Sequence, residues 1–440
     1  MTRKTLPAIL AIAAAAIAPQ AQAGTIADQI KADLPGLMAI YRDLHENPEL
    51  SFQEVRSAAI LADAARKAGF EVTEKVGQTG VVAVLKNGPG PVVLIRADMD
   101  GLPVVEQTGL PFASKRRGVS TAGVESGIMH ACGHDTHMTT WIEVARLMAA
   151  RRKEWSGTLV MIGQPAEEVG LGAEAMLKDG LYTRFPKPNV TLAFHDTHEV
   201  PSGVIGVTSG YALANVDSVD VTFKGIGGHG SRPHQTKDPI VLASAFVTRV
   251  QTLVSRENNP QDPAVVTVGS FHAGAKHNII SDKAELQLTV RSYSDETRKM
   301  LLDGIKRVAE GEAIVSGLPE SLKPDVVVRP PTRATYNTPE LTASTVELFR
   351  KNFGPERVRM IPPNMGGEDF GEFGRADRKN IQSMIFWVGG YPAEAIAKAA
   401  AEGTTVPGTH SPFFAPEADK VIGTAAEALT LAAMTQMPKR

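Results

Sequence analysis

Three short apolar runs, each closed by an acid or an imidazole, restrict this chain more than any other feature. Pro91 to Ala97 (PVVLIRA) leads into Asp98-Met99-Asp100, Leu159 to Gly163 into Gln164-Pro165-Ala166-Glu167-Glu168, and Val190 to Phe194 into His195. An uninterrupted apolar run of this length reads as a strand covered on both faces. Parallel sheets flanked by helices provide that cover, and half-exposed antiparallel sheets do not. In such sheets ligands gather outside the carboxyl ends of the strands. The pattern therefore predicts an α/β fold with a mixed, mostly parallel sheet and a site along that edge. A fourth buried run, Met384 to Val388 (MIFWV), lies between Gly366-Gly367-Glu368-Asp369-Phe370 and Gly408-Thr409-His410-Ser411-Pro412.

Between the first two runs stands GIMHACGHDTH, Gly127 to His137, which holds three histidines, an aspartate and the only cysteine of the protein. Thiolate, imidazole and carboxylate together suit a borderline metal such as zinc or manganese. Cys132 and His134 are two apart and cannot share a helical face, but an extended turn can point both at one ion. A helix is expected next, with Asp135 as N-cap and Met138, Trp141, Ile142, Ala145 and Met148 at helical spacing. A plainer reading of the same residues is that the histidines cap and pack while Cys132 fills a small buried gap. The adjacent acids Glu167 and Glu168 would diverge on an extended backbone, one free to bind metal and the other to move a proton.

The texture changes near Asn215. Val219, Val221 and Phe223 alternate with polar residues, as do Ala284, Leu286, Leu288 and Val290, so this sheet is antiparallel with one wet face. Asp238-Pro239 caps and opens a helix to about Ser255, Val265 to Val268 is a strand, Glu296 to Glu310 a second helix, and Asp325 to Arg329 the last strand. The order β-α-β-β-α-β is that of a ferredoxin-like unit. Residues 215–330 are thus expected to form a domain inserted between 24–214 and 331–440. At 440 residues the chain can supply each with a core. Upstream, helices are expected from Thr25 to Gly69, interrupted by the segment Leu44 to Phe52, with His45 and Glu46 in a connecting loop and a second helix from Glu54 to Lys67.

Arg3-Lys4, the alanine- and isoleucine-rich stretch Leu6 to Ala18, and Ala21-Gln22-Ala23 read as a signal peptide, residues 1–23, cut after Ala23. The remainder has no apolar run near the roughly 18 residues a bilayer needs. An exported protein without a membrane span is expected, periplasmic where the cell has two membranes. One cysteine excludes an internal disulfide, and a metal would protect that thiol in an oxidising compartment. A formal net charge of −2, with no basic run, argues against a nucleic-acid partner.

The stretches LHENPELSFQE, RADMDGLPV, MHACGHDTH, QPAEE, KGIGGHGSRPH, GGEDF and THSP run from Leu44 to Pro412. In order and spacing the chain resembles the aminoacylase and carboxypeptidase family of dinuclear metallopeptidases, especially its hippurate hydrolase and indoleacetyl-amino-acid hydrolase branch. The resemblance implies a zinc-exopeptidase-like catalytic domain with the inserted unit as lid and dimerisation domain. It places two divalent ions, zinc or manganese, on Cys132, His134, Glu168, His195 and His410, with Cys132 between them. Glu167 matches the general base and Asp100 the aspartate that orients the site. His229, in the turn Gly227-Gly228-His229-Gly230, matches a histidine that reaches substrate, often in the partner subunit's site. A turn histidine between flexible glycines is its plainer reading. Asn278 and Arg291 align with residues near the substrate carboxylate. Two features depart from the branch. His198 follows His195 where apolar residues are usual and is a rival ligand, although Gly203, eight residues after His195, keeps the family spacing. Arg116 to Ser126 is a longer and more polar lead into the cysteine motif and bears on substrate access.

By the same resemblance, the ions activate a water and polarise an amide carbonyl, Glu167 moves the proton, and His229 donates to the developing oxyanion. The implied reaction is hydrolysis of an N-acyl amino acid. An exopeptidase or dipeptidase on the same scaffold is the nearest alternative, and a metal-dependent binding protein without catalysis a more distant one. A serine hydrolase lacks its G-x-S-x-G motif. N-terminal sequencing of the exported protein is expected to begin at Gly24; a chain still starting at Met1 rejects cleavage.

Overall fold

Strand alternation decides which side of the main sheet each apolar side chain joins. Val93, Ile95 and Ala97 face one core and Leu94 the other; Leu159 and Met161 are likewise separated from Val160 and Ile162, and Leu192 and Phe194 from Ala193. Both sets are buried, which is why these runs carry no polar alternation. The computed structural model describes residues 24–439, and the expected signal segment lies outside the described residues.

The main sheet has eight strands in the order Glu71–Val76, Gly80–Asn87, Gly157–Gln164, Val92–Asp98, Val190–Pro201, Gln382–Tyr391, Ile205–Val207 and Val358–Met360. The four central strands run parallel, and the Glu71–Val76 and Gly80–Asn87 strands close one edge antiparallel. One face is covered by helices Ile26–Glu46, Val55–Lys67, His134–Ala150, Pro339–Phe353 and Ala418–Gln436, and the other by Gly172–Lys178 and Gly371–Arg375. Trp141 and Trp155 are fully buried on the larger face. Burial of such side chains, worth roughly 1.5–3 kcal/mol each, holds the layers together.

The second unit has its own core. Its sheet runs Ala264–Ala273, Lys283–Ser292, Asn215–Lys224, Asp325–Val328, all antiparallel, with helices Pro239–Thr252 and Asp295–Val315 packed around Phe223, Phe246, Leu286, Leu301 and Ile305. Asp238 caps the first helix through Ile240 N–H (2.9 Å) with Pro239 in its first turn, and the helix ends in a π turn at Leu253–Glu257. Buried Asn215 pins the crossing between units. Its amide donates to the Ser292 and Tyr293 carbonyls (both 3.1 Å), and its oxygen accepts from Ala334 N–H (2.9 Å).

Several local expectations change. His45 and Glu46 end the first helix instead of forming a loop, and the chain breaks only at Asn47-Pro48. The His134–Ala150 helix has Gly133 at its N-cap, not Asp135. Gly133 is left-handed (φ 77°), and a Cβ there would lie 1.9 Å from Asp196 Oδ2, so only glycine fits. His195 lies inside its strand, because the pairing with Gln382–Tyr391 runs on to Pro201. Arg116 to Ser126 folds mostly into a hairpin, Arg117–Val119 against Glu125–Gly127, tied to Gln53 and Pro103 by side-chain bonds of 3.1 and 3.0 Å. No helix among the described residues is long and apolar enough to cross a membrane.

Candidate metal centre

The strand ends bring their polar groups to one place. His134 opens its helix with Nδ1 2.7 Å from the Asp100 carbonyl, so Nδ1 carries the proton and Nε2 keeps its lone pair. His195 does the same, with Nδ1 2.6 Å from the Asp196 carbonyl and Nε2 3.4 Å from Cys132 Sγ. Two backbone carbonyls thus leave the nitrogens that face the cluster free to bind a metal.

Ligand atoms of Cys132, His134 and His195 lie within 4.8 Å of one another, and so do those of Cys132, Glu168 and His410. Cys132 belongs to both groups. His410 is left-handed (φ 68°), anchored by its N–H on the Ala131 carbonyl (2.7 Å), with Nε2 3.4 Å from Glu168 Oε2. Its side chain is 58% exposed, which makes it the open side of the cluster. His134 Nε2 and Glu168 Oε1 are buried without a hydrogen-bond partner, and they face each other across 3.9 Å. That gap is too long for a hydrogen bond. Two lone-pair groups left facing each other in this way would be satisfied by a shared cation. Orphaned buried donors and a thiol-imidazole-carboxylate set both fit a borderline divalent metal. Burial, reinforced by Glu168, pushes the Cys132 thiol well above its usual range, and burial raises Glu168 to about 8 against the pull of His134.

Glu167 and Glu168 do not sit on extended backbone. They form a turn after left-handed Ala166 (φ 51°). Both their N–H groups bond one carboxylate: Glu167 to Asp100 Oδ1 (3.0 Å) and Glu168 to Asp100 Oδ2 (3.1 Å). Ser51 Oγ donates to the same carboxylate (2.6 Å). Glu167 Oε2 ends 4.0 Å from His134 Nε2. Burial, then the Glu368, Glu168 and Asp369 carboxylates, raise its pKa well above the ordinary range.

Beneath the cluster lies a layer to which the sequence assigned no role. Arg96 is fully buried within an apolar strand. It bonds Asp98 (2.5 Å), Glu368 (2.6 Å) and Gln164 (2.8 Å). Asp369 accepts from Gln164 (2.6 Å) and from Ala173 N–H (3.0 Å). Asp98 also receives His137 Nδ1 (2.5 Å), whose Nε2 accepts the Asp196 N–H (3.2 Å). Asp98, Glu368 and Asp369 thus brace the site around a cation. The signal was available, since an arginine within PVVLIRA must find buried partners. His198 packs against Gly408, its ring within 2.8 Å of where a Cβ there would lie.

The inserted unit supplies three further candidates. His229 is exposed on a two-stranded ribbon, Gly228–His229 against Ile279–Ile280, with Ser231 Oγ 2.8 Å from its Nδ1. Asn278 is exposed beside it, its carbonyl taking Gly230 N–H (2.8 Å). Arg291 is half-buried and reaches the Met365 carbonyl (3.2 Å). Among the described residues no hydrogen bond or ion pair joins these three to the Cys132 cluster.

A family model described as peptidase family M20/M25/M40 matches residues 94–413. Hippurate hydrolase of Campylobacter jejuni is 38% identical over 339 residues, covering 76% of this chain and 84% of the relative. Thermostable carboxypeptidase 2 of Saccharolobus solfataricus is 34% identical over 357 residues, covering 80% and 85%. A crystal structure from Bacillus subtilis, described as a dinuclear metal binding peptidase from the M20 family, superposes with a TM-score of 0.73 at 31% identity, covering 92% of this chain and 100% of that one.

Buried His45 supports the cluster from behind, with Nδ1 2.7 Å from Asp135 Oδ2 and Nε2 3.0 Å from Glu106 Oε1. Burial opposes its charge, but the bonds to Asp135 and Glu106 outweigh this and raise its pKa to about 10. Its stabilising contribution is complete below the unfolded value of about 6.5 and is lost as pH rises towards 10. In denaturant melts, the stability gap between wild type and His45→Gln is expected to shrink steadily over that window. A constant gap would show that His45 does not change its charge over that window.

Proposed function

The chain belongs to peptidase family M20/M25/M40 and is a metal-dependent hydrolase, and on that footing we propose that it hydrolyses the amide bond of N-acyl amino acids. The observation that carries this reading is the Glu167-Glu168 turn, which aims two carboxylates at one cluster from a single anchoring acid. Cys132, His134, Glu168, His195 and His410 are assigned as ligands of two divalent ions, zinc or manganese, with Cys132 shared. The ions' contribution is to lower the pKa of a water and to polarise the scissile carbonyl.

Glu167 takes a proton from the attacking water and delivers it to the leaving amine nitrogen, a role typically worth about 10²–10⁴ in rate. Burial and its acidic neighbours raise its proton affinity, which suits a group that holds a proton between two transfers. Asp100 keeps Glu167 and His134 in register. His229 is assigned to the oxyanion and Asn278 and Arg291 to the substrate carboxylate. Exposure of His229, without a hydrogen bond to its own chain's cluster, supports its acting in the partner's cleft of a homodimer formed through the inserted domain. Export after cleavage behind Ala23 completes the reading.

The Campylobacter relative's name favours an acyl amino acid, and the Saccharolobus relative's name favours a carboxypeptidase as the second reading. Glu167→Gln is expected to lower kcat by at least about 10² while metal content by elemental analysis stays at the wild-type level; retained turnover removes Glu167 as the base. Assayed side by side, N-acyl amino acids should give higher kcat/KM than dipeptides, and the reverse order would select the exopeptidase.

A further inference from the structure

Glu54 is fully buried, yet it neither belongs to the ligand set nor carries a proton in the reaction. Its Oε1 accepts two backbone N–H groups, from Phe52 and Ala166, each at 2.8 Å. Its Oε2 accepts the Thr79 hydroxyl. Phe52 (φ 62°) and Ala166 (φ 51°) are both left-handed, a conformation that residues with a Cβ keep only when their surroundings over-determine it. One carboxylate oxygen therefore holds two unfavourable residues from distant parts of the chain.

Ala166 directly precedes Glu167 and Glu168, whose N–H groups go to Asp100. Three successive N–H groups thus converge on two buried acids, an anion nest filled from within the protein. The nest determines where the two glutamate side chains leave the turn.

We propose that Glu54 is a positioning residue of the metal centre: by holding Ala166 left-handed beside Asp100, it aims Glu168 at the ions and leaves Glu167 free to move a proton. This rests on the functional reading above. It requires reach, one oxygen spanning two N–H groups, and does not require negative charge.

Glu54→Asp keeps the charge but is a methylene too short to span both N–H groups. Glu54→Gln keeps an oxygen in place and turns its amide N–H towards Thr79, whose hydroxyl can accept. Manganese is titrated calorimetrically into the metal-free forms of wild type and both variants, beside kcat and KM on an N-acyl amino acid. Glu54→Gln is expected to bind as wild type does. Glu54→Asp is expected to bind about 10–100-fold more weakly and to lose kcat more than KM. The opposite order, or two variants that both behave as wild type, overturns the proposal. Should Glu54→Asp fail to fold, hydrogen exchange in the metal-free wild type decides: the Ala166 amide must be strongly protected, and rapid exchange overturns the assignment. Wild-type protein that takes up no manganese overturns the metal reading together with this proposal. Normal uptake with unaltered Glu54→Asp overturns the proposal alone.

Discussion

Asp100 ties together the turn and the helix start that carry Glu167, Glu168 and His134. Its carboxylate accepts the N–H groups of Glu167 and Glu168 and the Ser51 hydroxyl, while the backbone carbonyl of the same residue takes His134 Nδ1. One residue just beyond the Val92–Asp98 strand therefore sets two carboxylates and one imidazole tautomer. A buried carboxylate needs this many donors, because each unmet lone pair in a dry interior costs free energy. Satisfying that need and arranging the site are the same set of hydrogen bonds.

Crowding acids beneath a metal centre creates a second problem, which Arg96 answers. Asp98, Glu368 and Asp369 are all buried around its guanidinium. Removing one partner of such a group leaves an unpaired charge and typically costs about 3–5 kcal/mol. The layer is therefore rigid. Asp98 extends it to His137, and His137 to the Asp196 N–H next to His195, so the floor of the cluster is continuous with its wall.

The inserted unit obeys a different logic. Its helices and the inner face of its sheet close a core of their own around Phe223 and Phe246, and Asn215 fixes its two chain crossings. Its polar candidates, His229 and Asn278, are left on an exposed ribbon. Seven of the ten candidate residues therefore belong to the sheet-edge unit, and the other three to the separately packed inserted unit.

Much of this was legible in the residues. Apolar runs without alternation read as covered strands and the alternating runs of the inserted unit as half-exposed ones, so the four central strands of the main sheet and the inserted sheet follow from pattern, whereas the short edge strands of the main sheet do not. Chemistry at the strand ends was legible too, because Cys132, His134, Glu168, His195 and His410 are donor types that suit one kind of ion. Pattern could not show which acids carry out the reaction and which hold others in place. Asp98, Asp100, Glu54 and Glu368 look alike in a sequence, and their roles depend on which N–H or guanidinium each meets across the fold. The left-handed turn at Ala166 escaped notice for the same reason. Local preference opposes it, and hydrogen bonds to Glu54 and Asp100, both more than sixty positions away, help to hold it. Side-chain period and donor chemistry are local properties, and the sequence by itself determined the layers and the kinds of ligand. Pairing of buried polar groups is a long-range property, and the tertiary structure alone decided how those groups share the work.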